Sequence, residues 1–296
     1  MHLYVNGIRL YFDVEGSALV PDGRHMRQRP TLILLHGGPG ADHSGYKPFF
    51  STFADQAQVI YLDHRGNGRS EQGPAEHWNI AQWADDLHCF CQTLSIERPI
   101  VYGASFGGII AMAYATRYPT HPSKLILVST AAKAGIHAAE RVAMFEKLGG
   151  PGVGRLAYKR FVEGNTSPEV LKAWLELALP CYSTRRPDPL ARAREISNPA
   201  ATAWFNKADG EGRKFDLLTE LHKIQCPVLL MGGKLDPMTP IECQRQIAAG
   251  ISPDLLEYHE FEDCGHGVVN DKPDEAGLIL KAFIHRVSPQ HRASEA

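Results

Sequence analysis

The chain has 296 residues, 44% hydrophobic and 22% charged, with a formal net charge of −2. That length holds one large domain or a core with a smaller insert, and the near-neutral charge offers no footprint for nucleic acid or an anionic membrane surface. No apolar run reaches the roughly 18 residues of a membrane span, so no membrane partner is expected.

The amino-terminal stretch lacks the basic and apolar blocks of a signal peptide. The six cysteines, at 89, 91, 181, 226, 243 and 264, form no C-x-x-C pair and no clustered Cys/His set. They read as free thiols in a reducing cytoplasm rather than a disulfide framework or zinc site.

Leu3 to Val5 and Ile8 to Val14 flank Asn6-Gly7, an opening hairpin. Gly16 to Pro30 reads as a loop. Thr31 to Leu35 is a continuous apolar run, the pattern of a strand buried on both faces, and it ends at His36-Gly37-Gly38-Pro39-Gly40. A helix is expected over Lys47 to Ala57 and a second buried strand over Val59 to Leu62. Asp63 to Ser70 is a Gly-punctuated loop. Ile80, Trp83, Ala84, Leu87, Phe90 and Leu94 recur at helical spacing, which predicts an amphipathic helix over 80–95. Ile100-Val101-Tyr102 then leads into Gly103-Ala104-Ser105-Phe106-Gly107, followed by a helix to about Tyr118 and a buried strand at Lys124 to Val128.

Alternating strands and helices with wholly apolar strands predict a mostly parallel sheet covered on both faces. That rhythm stops near Ala131. Up to Leu221 only helical stretches are found, at Lys133–Leu148, Arg155–Phe161, Pro168–Leu179 and Pro189–Ile196. Residues 132–221 therefore read as a helical cap over the sheet's carboxyl edge, inserted into a core of 1–131 and 222–296. The rhythm returns with a strand at Pro227–Met231, a helix at Pro240–Ala249, a strand at Leu255–Glu260, a helix at Pro273–Val287 and a frayed tail.

Gly103-Ala104-Ser105-Phe106-Gly107 stands at a strand–turn–helix junction, the context a G-x-S-x-G nucleophile elbow requires. A serine hydroxyl needs a base, and the base an orienting acid. Asp236 follows one late strand and His266 the next, giving Ser, acid and His in that chain order on one sheet edge. Asp263, three residues before His266, is the competing acid. Acyl transfer also needs donors for an oxyanion: the Phe106 N–H, and a second from the loop after Leu35, Gly38 with Gly37 as the alternative. His36 reads as an organiser of that loop.

These three stretches, His36-Gly37-Gly38-Pro39-Gly40, Asp63-His64-Arg65-Gly66-Asn67-Gly68-Arg69-Ser70 and Gly103-Ala104-Ser105-Phe106-Gly107-Gly108, resemble the successive motifs of the proline iminopeptidase branch of the α/β-hydrolases. The resemblance implies the α/β-hydrolase fold with a helical cap, hydrolysis without cofactor or metal, and a small-molecule or short-peptide substrate with a free N-terminal amine held by acidic cap residues. Glu163, Glu176, Glu195 and Glu211 are the acids available, with Glu211 the best placed; Phe106 and Trp204 are the other candidates for substrate contact. The chain departs from the branch at His64, where Gln is usual, and at Phe106, where Trp or Tyr is usual. The expected activity is removal of an N-terminal proline or small residue. The alternatives are a carboxylesterase or lactonase, and a non-catalytic ligand-binding member of the fold.

Overall fold

The computed structural model describes residues 1–186 and 188–286. Among the described residues ten strands occur: β1 (His2–Val5), β2 (Ile8–Glu15), β3 (Leu19–Asp22), β4 (His25–Gln28), β5 (Thr31–Leu35), β6 (Gln58–Leu62), β7 (Ile100–Ala104), β8 (Lys124–Val128), β9 (Val228–Gly233) and β10 (Leu256–Phe261). Eight of them form one sheet in the order β1-β2-β6-β5-β7-β8-β9-β10. The β1–β2 and β2–β6 pairs are antiparallel, and every later pair is parallel.

The continuous apolar runs follow from burial on two faces. Ile33, Leu35, Val101, Leu125, Leu127, Val228 and Leu230 face one core, whereas their neighbours Leu32, Leu34, Ile100, Tyr102, Ile126, Leu229 and Met231 face the other. With a side-chain period of 2, both sets must be apolar, so no alternation appears. The first core is closed by α1 (Ile80–Thr93) and α2 (Phe106–Arg117). Residues Phe106 to Thr116 of α2 are all buried, which is why that helix carries no polar face.

Between β8 and β9 lie α3 (Ala138–Gly149), α4 (Pro151–Phe161), α5 (Pro168–Ala173), the single turn α6 (Ala191–Arg194) and α7 (Pro199–Asn206). Phe145, Val153, Leu156, Ala157, Val170, Trp174 and Ala178 give this insertion an apolar cluster of its own. After β9 come α8 (Ile241–Gly250), the short α9 (Val268–Asp271) and α10 (Pro273–His285).

Several expectations are corrected. Gly16–Pro30 is not a plain loop: β3 and β4 pair there across Gly23 at φ +60°. Their side chains are almost all exposed, so no buried stripe marked them. Lys47–Ala57 is not a helix; two short 3₁₀ turns, His43–Tyr46 and Phe49–Phe53, are separated by Pro48, which has no amide to donate. In the insertion, the helix expected at Pro189–Ile196 shrinks to α6, and α7 forms where no helix is expected. The helix starting at Pro168 changes to a π-turn at Trp174–Ala178. Val287 and the tail lie outside the described residues.

Lys124 is a strand residue with only 6% exposure. Its Nζ donates to the carbonyls of Phe283 (2.7 Å), Ile284 (2.6 Å) and Arg286 (2.7 Å). It thus satisfies the end of α10, where helical carbonyls lack partners and the dipole favours a cation. Lys124→Met should lower unfolding stability by about 2–3 kcal/mol, read as a lower urea midpoint with an unchanged slope.

Candidate active site

The elbow is built from glycines because the backbones around it nearly touch. A Cβ on Gly107 would lie 2.0 Å from the Leu35 carbonyl oxygen, and one on Gly103 would lie 2.3 Å from the Gly107 oxygen. Ser105 between them sits at φ +54°, ψ −120°, a costly conformation for a residue with a side chain. The turn is held by its backbone: the Ser105 N–H donates to Val128 O (2.9 Å), and its carbonyl accepts from the Thr130 hydroxyl (2.7 Å) and the Gly108 N–H (3.0 Å).

Asp236 follows β9 and His266 follows β10, and the structure joins them directly. His266 Nδ1 lies 2.8 Å from Asp236 Oδ2. A carboxylate only accepts, so Nδ1 carries the proton and Nε2 keeps its lone pair. Asp236 is 1% exposed and accepts further bonds from the Met238 N–H (2.8 Å), the Thr239 N–H (2.9 Å) and the Thr239 hydroxyl (2.7 Å). Burial by itself would raise its carboxyl; the neighbouring His266 and the Thr239 bonds outweigh that and hold it below the usual range. Asp263, the competing acid, is exposed and makes no such bond; its backbone carbonyl receives the Thr184 hydroxyl at 3.1 Å. Ser105, Asp236 and His266 thus stand at the carboxyl ends of β7, β9 and β10 in one sheet.

The glycine loop after β5 lies against the elbow. A Cβ on Gly37 would be 3.6 Å from Ser105 Cβ, and Gly38 adopts φ +123°, open only to glycine at low cost. His36 organises this loop as expected. Its Nε2 accepts the His64 N–H (3.2 Å), which leaves Nδ1 to donate to Gly37 O (2.7 Å). Burial pushes the His36 imidazole down, and burial together with His36, 4.4 Å away ring to ring, pushes His64 well down. Both are thereby weaker bases than a free imidazole, which suits scaffold roles rather than a second base.

The second motif proves to be the brace for that loop. Asn67 Oδ1 accepts the Gly40 N–H at 2.5 Å, while Arg65 makes a buried bidentate pair with Asp86, both bonds 2.7 Å. Asp63, fully buried, accepts from the His43 N–H (2.9 Å), His43 Nδ1 (2.7 Å) and the Arg69 N–H (2.9 Å). Burial would raise the Asp63 carboxyl, but His43, His36 and the Arg69 amide together hold it low. Its unfolded counterpart takes a proton first, so stability is present above the ordinary value of about 3.9 and is lost as pH falls through the lower folded value. Urea midpoints should drop between pH 6 and pH 3, and Asp63→Asn should flatten that dependence while weakening the protein at pH 6.

The candidates for substrate contact are placed less simply. Phe106 is 2% exposed, packed edge-on against Trp83 (5.0 Å) and Phe205 (5.2 Å). Trp204 is half-buried with Lys207 Nζ 3.6 Å above its ring. Glu211 Oε2 accepts the Ile80 N–H at 2.6 Å, satisfying an amide at the start of α1, beside a cavity of about 300 Å³ that Trp78, Trp204 and Lys214 also line. Burial pushes the Glu211 carboxyl up, against the Ile80 amide and Lys214. Glu163, Glu176 and Glu195 are exposed.

Residues not singled out in the sequence complete the arrangement. Asp271 accepts the Gly265 N–H (2.7 Å) and the Thr184 N–H (3.0 Å), and the His266 N–H donates to Tyr182 O (2.7 Å). These bonds lace the insertion to the His266 loop. On the other side, the Asn198 N–H donates to Gly40 O (2.7 Å), and the Thr202 hydroxyl donates to Pro39 O (2.6 Å). Only Thr239 had a local signal, since Asp236-Pro237-Met238-Thr239 has the spacing of a side-chain-capped turn.

All six cysteines are free. Among the described residues no helix is long and apolar enough to cross a membrane, and no group of three or more His, Cys, Asp or Glu is placed to hold a metal.

A family model described as alpha/beta hydrolase fold matches residues 30–273. The proline iminopeptidase of Lactobacillus helveticus is 29% identical over 278 residues, covering 87% of this chain and 90% of that protein. Among solved structures, a proline iminopeptidase from Mycobacterium smegmatis superposes with a TM-score of 0.77 at 23% identity, covering 100% of this chain and 99% of that one. An esterase from Exiguobacterium antarcticum superposes with a TM-score of 0.72 at 22% identity, covering 96% and 99%. The eight-stranded sheet and the family match over most of the chain agree: the protein belongs to the α/β-hydrolase family and is similar to its proline iminopeptidase-like members.

Proposed function

We propose that the protein is a serine hydrolase that cleaves an amide or ester through an acyl-enzyme. The observation that carries this reading is the buried Asp236–His266 hydrogen bond of 2.8 Å on the sheet edge where the strained Ser105 turn stands. In this reading His266 Nε2 takes the Ser105 proton and returns it to the leaving group, and Asp236 holds the imidazole in the required tautomer. The N–H groups of Phe106 and Gly38, with Gly37 as the alternative, stabilise the oxyanion. Residues 132–221 act as a cap that selects the substrate. No cofactor or metal takes part in this chemistry, and the free thiols suit a cytoplasmic setting.

The favoured substrate is a short peptide or amide with a free N-terminal proline or small residue. Similarity to proline iminopeptidases and the His36-Gly37-Gly38-Pro39-Gly40 loop support it. A carboxylesterase or lactonase is the second reading. One observation favours it: Glu211, the acid best placed in sequence to hold an amine, has its carboxylate engaged by the Ile80 amide.

Purified protein assayed with proline p-nitroanilide, its N-acetyl derivative and p-nitrophenyl butyrate separates the two. Turnover of the anilide that N-acetylation abolishes is the expected result. Efficient cleavage of the butyrate with none of the anilide would replace the peptidase reading by the esterase.

A further inference from the structure

The buried Arg65 is matched by the Asp86 carboxylate at 2.7 Å, and the buried Lys124 by three backbone carbonyls. Two arginines of the helical insertion are placed differently. Arg141 on α3 and Arg160 on α4 are both half-buried, and neither makes an ion pair among the described residues. Arg141 Nε is fully shielded from solvent and has no hydrogen-bond partner. Four residues earlier, His137 Nε2 is in the same condition.

Both guanidiniums rest on one aromatic wall. Arg141 lies 5.2 Å from the Phe161 ring and Arg160 4.5 Å from the Trp174 ring, and those two rings meet edge-on at 5.3 Å. Trp174 Nε1–H donates to the Tyr182 hydroxyl at 3.2 Å, and the Tyr182 ring stands edge-on to His266 at 5.7 Å. The wall therefore runs from the two arginines to the His266 imidazole. Both cations also act electrostatically on the Tyr182 hydroxyl, as does Asp236.

A guanidinium presents five donors in a planar fork, and leaving the shielded Arg141 Nε–H without a partner is unfavourable. Methionine or leucine would fill the same space without that penalty. Two such groups of like charge on one wall, both without a carboxylate, form a receptor for a planar anion. Through Tyr182 the wall reaches the His266 imidazole, which in the serine-hydrolase reading gives the leaving group its proton.

We propose that Arg141 and Arg160 form an anion subsite that takes a carboxylate on the leaving-group side of the substrate, which for a peptide means the C-terminal carboxylate of a dipeptide or tripeptide. Its place in the reaction rests on the serine-hydrolase reading above; the binding of the anion does not. The subsite favours short free peptides over long chains and over C-terminal amides.

Two measurements test it. Calorimetric titration of Ser105→Ala protein with 3-phenylpropanoate and with 3-phenylpropanamide reads the subsite without catalysis. The acid should bind at least ~10-fold more tightly than the amide at low salt. In Arg141→Met and Arg160→Met versions that preference should collapse, and Arg141→Lys and Arg160→Lys should recover part of it. Equal binding of acid and amide, no binding of the acid, or a preference that survives in both folded Met variants overturns the proposal. If a Met variant does not fold, loss of the preference in 0.5 M salt supports the proposal and its persistence there overturns it.

The second measurement compares wild-type turnover of Pro-Phe and Pro-Phe-amide, where a lower KM for the free acid is expected. Equal KM values discard the subsite and leave the peptidase reading intact. Acid-selective binding without turnover of either peptide discards the peptidase reading and leaves the subsite.

Discussion

Ser105→Ala should lower kcat/KM by at least ~10⁴-fold on whichever amide or ester the protein turns over, while the thermal midpoint scarcely moves. The loss is large because the remaining machinery can still bind substrate and polarise its carbonyl but has no covalent route. The fold survives because the bonds that hold the elbow come from the Ser105 backbone, to Val128 O, Thr130 Oγ1 and the Gly108 N–H. Alanine keeps all three. Ser105→Gly is a useful companion: it removes the same hydroxyl and relieves the positive φ of +54°, so it should be equally inactive and slightly more stable. Undiminished turnover in either variant would remove Ser105 from the chemistry.

Asp236→Asn should cost about 10³–10⁴-fold in kcat with a much smaller change in KM. An asparagine can still accept the Met238 and Thr239 amides through its oxygen. Its NH₂ would then face His266 Nδ1, now 2.8 Å from Oδ2. Two donors cannot share that contact, so the imidazole moves its proton to Nε2 and ceases to be a base toward Ser105. Because asparagine is neutral, it also forfeits the stabilisation of the imidazolium. Raising pH cannot rescue the variant, since the defect is a tautomer rather than a protonation level. The same substitution at exposed Asp263 should leave turnover near that of the parent, and a comparable loss there would reassign the acid.

The central strands were legible because burial on both faces demands an apolar residue at every position, as in Leu32 to Leu35 and Leu125 to Val128. The elbow was legible because Gly103 and Gly107 have no alternative where backbones approach within 2.0–2.3 Å of a missing Cβ. The β3–β4 hairpin was invisible for the opposite reason, since its residues bury almost nothing. The insertion was read least well. Its helices are short, one passes through a π-turn, and α7 owes its place to contacts of Asn198 and Thr202 with a loop some 160 residues away in sequence.

By itself the sequence determined the type and order of the candidate reactive groups, a serine at a strand–helix turn, then an aspartate, then a histidine, each after an apolar strand. Those signals are local: a few residues dictate a turn, and a period dictates a strand. The tertiary structure alone decided which carboxylate meets His266, that Asn67 anchors Gly40, and that Glu211 is engaged by the Ile80 amide across 131 residues. It also decided that Arg141 and Arg160 share one aromatic wall reaching His266. Such pairings depend on distances between segments remote in sequence, and no local spacing encodes them.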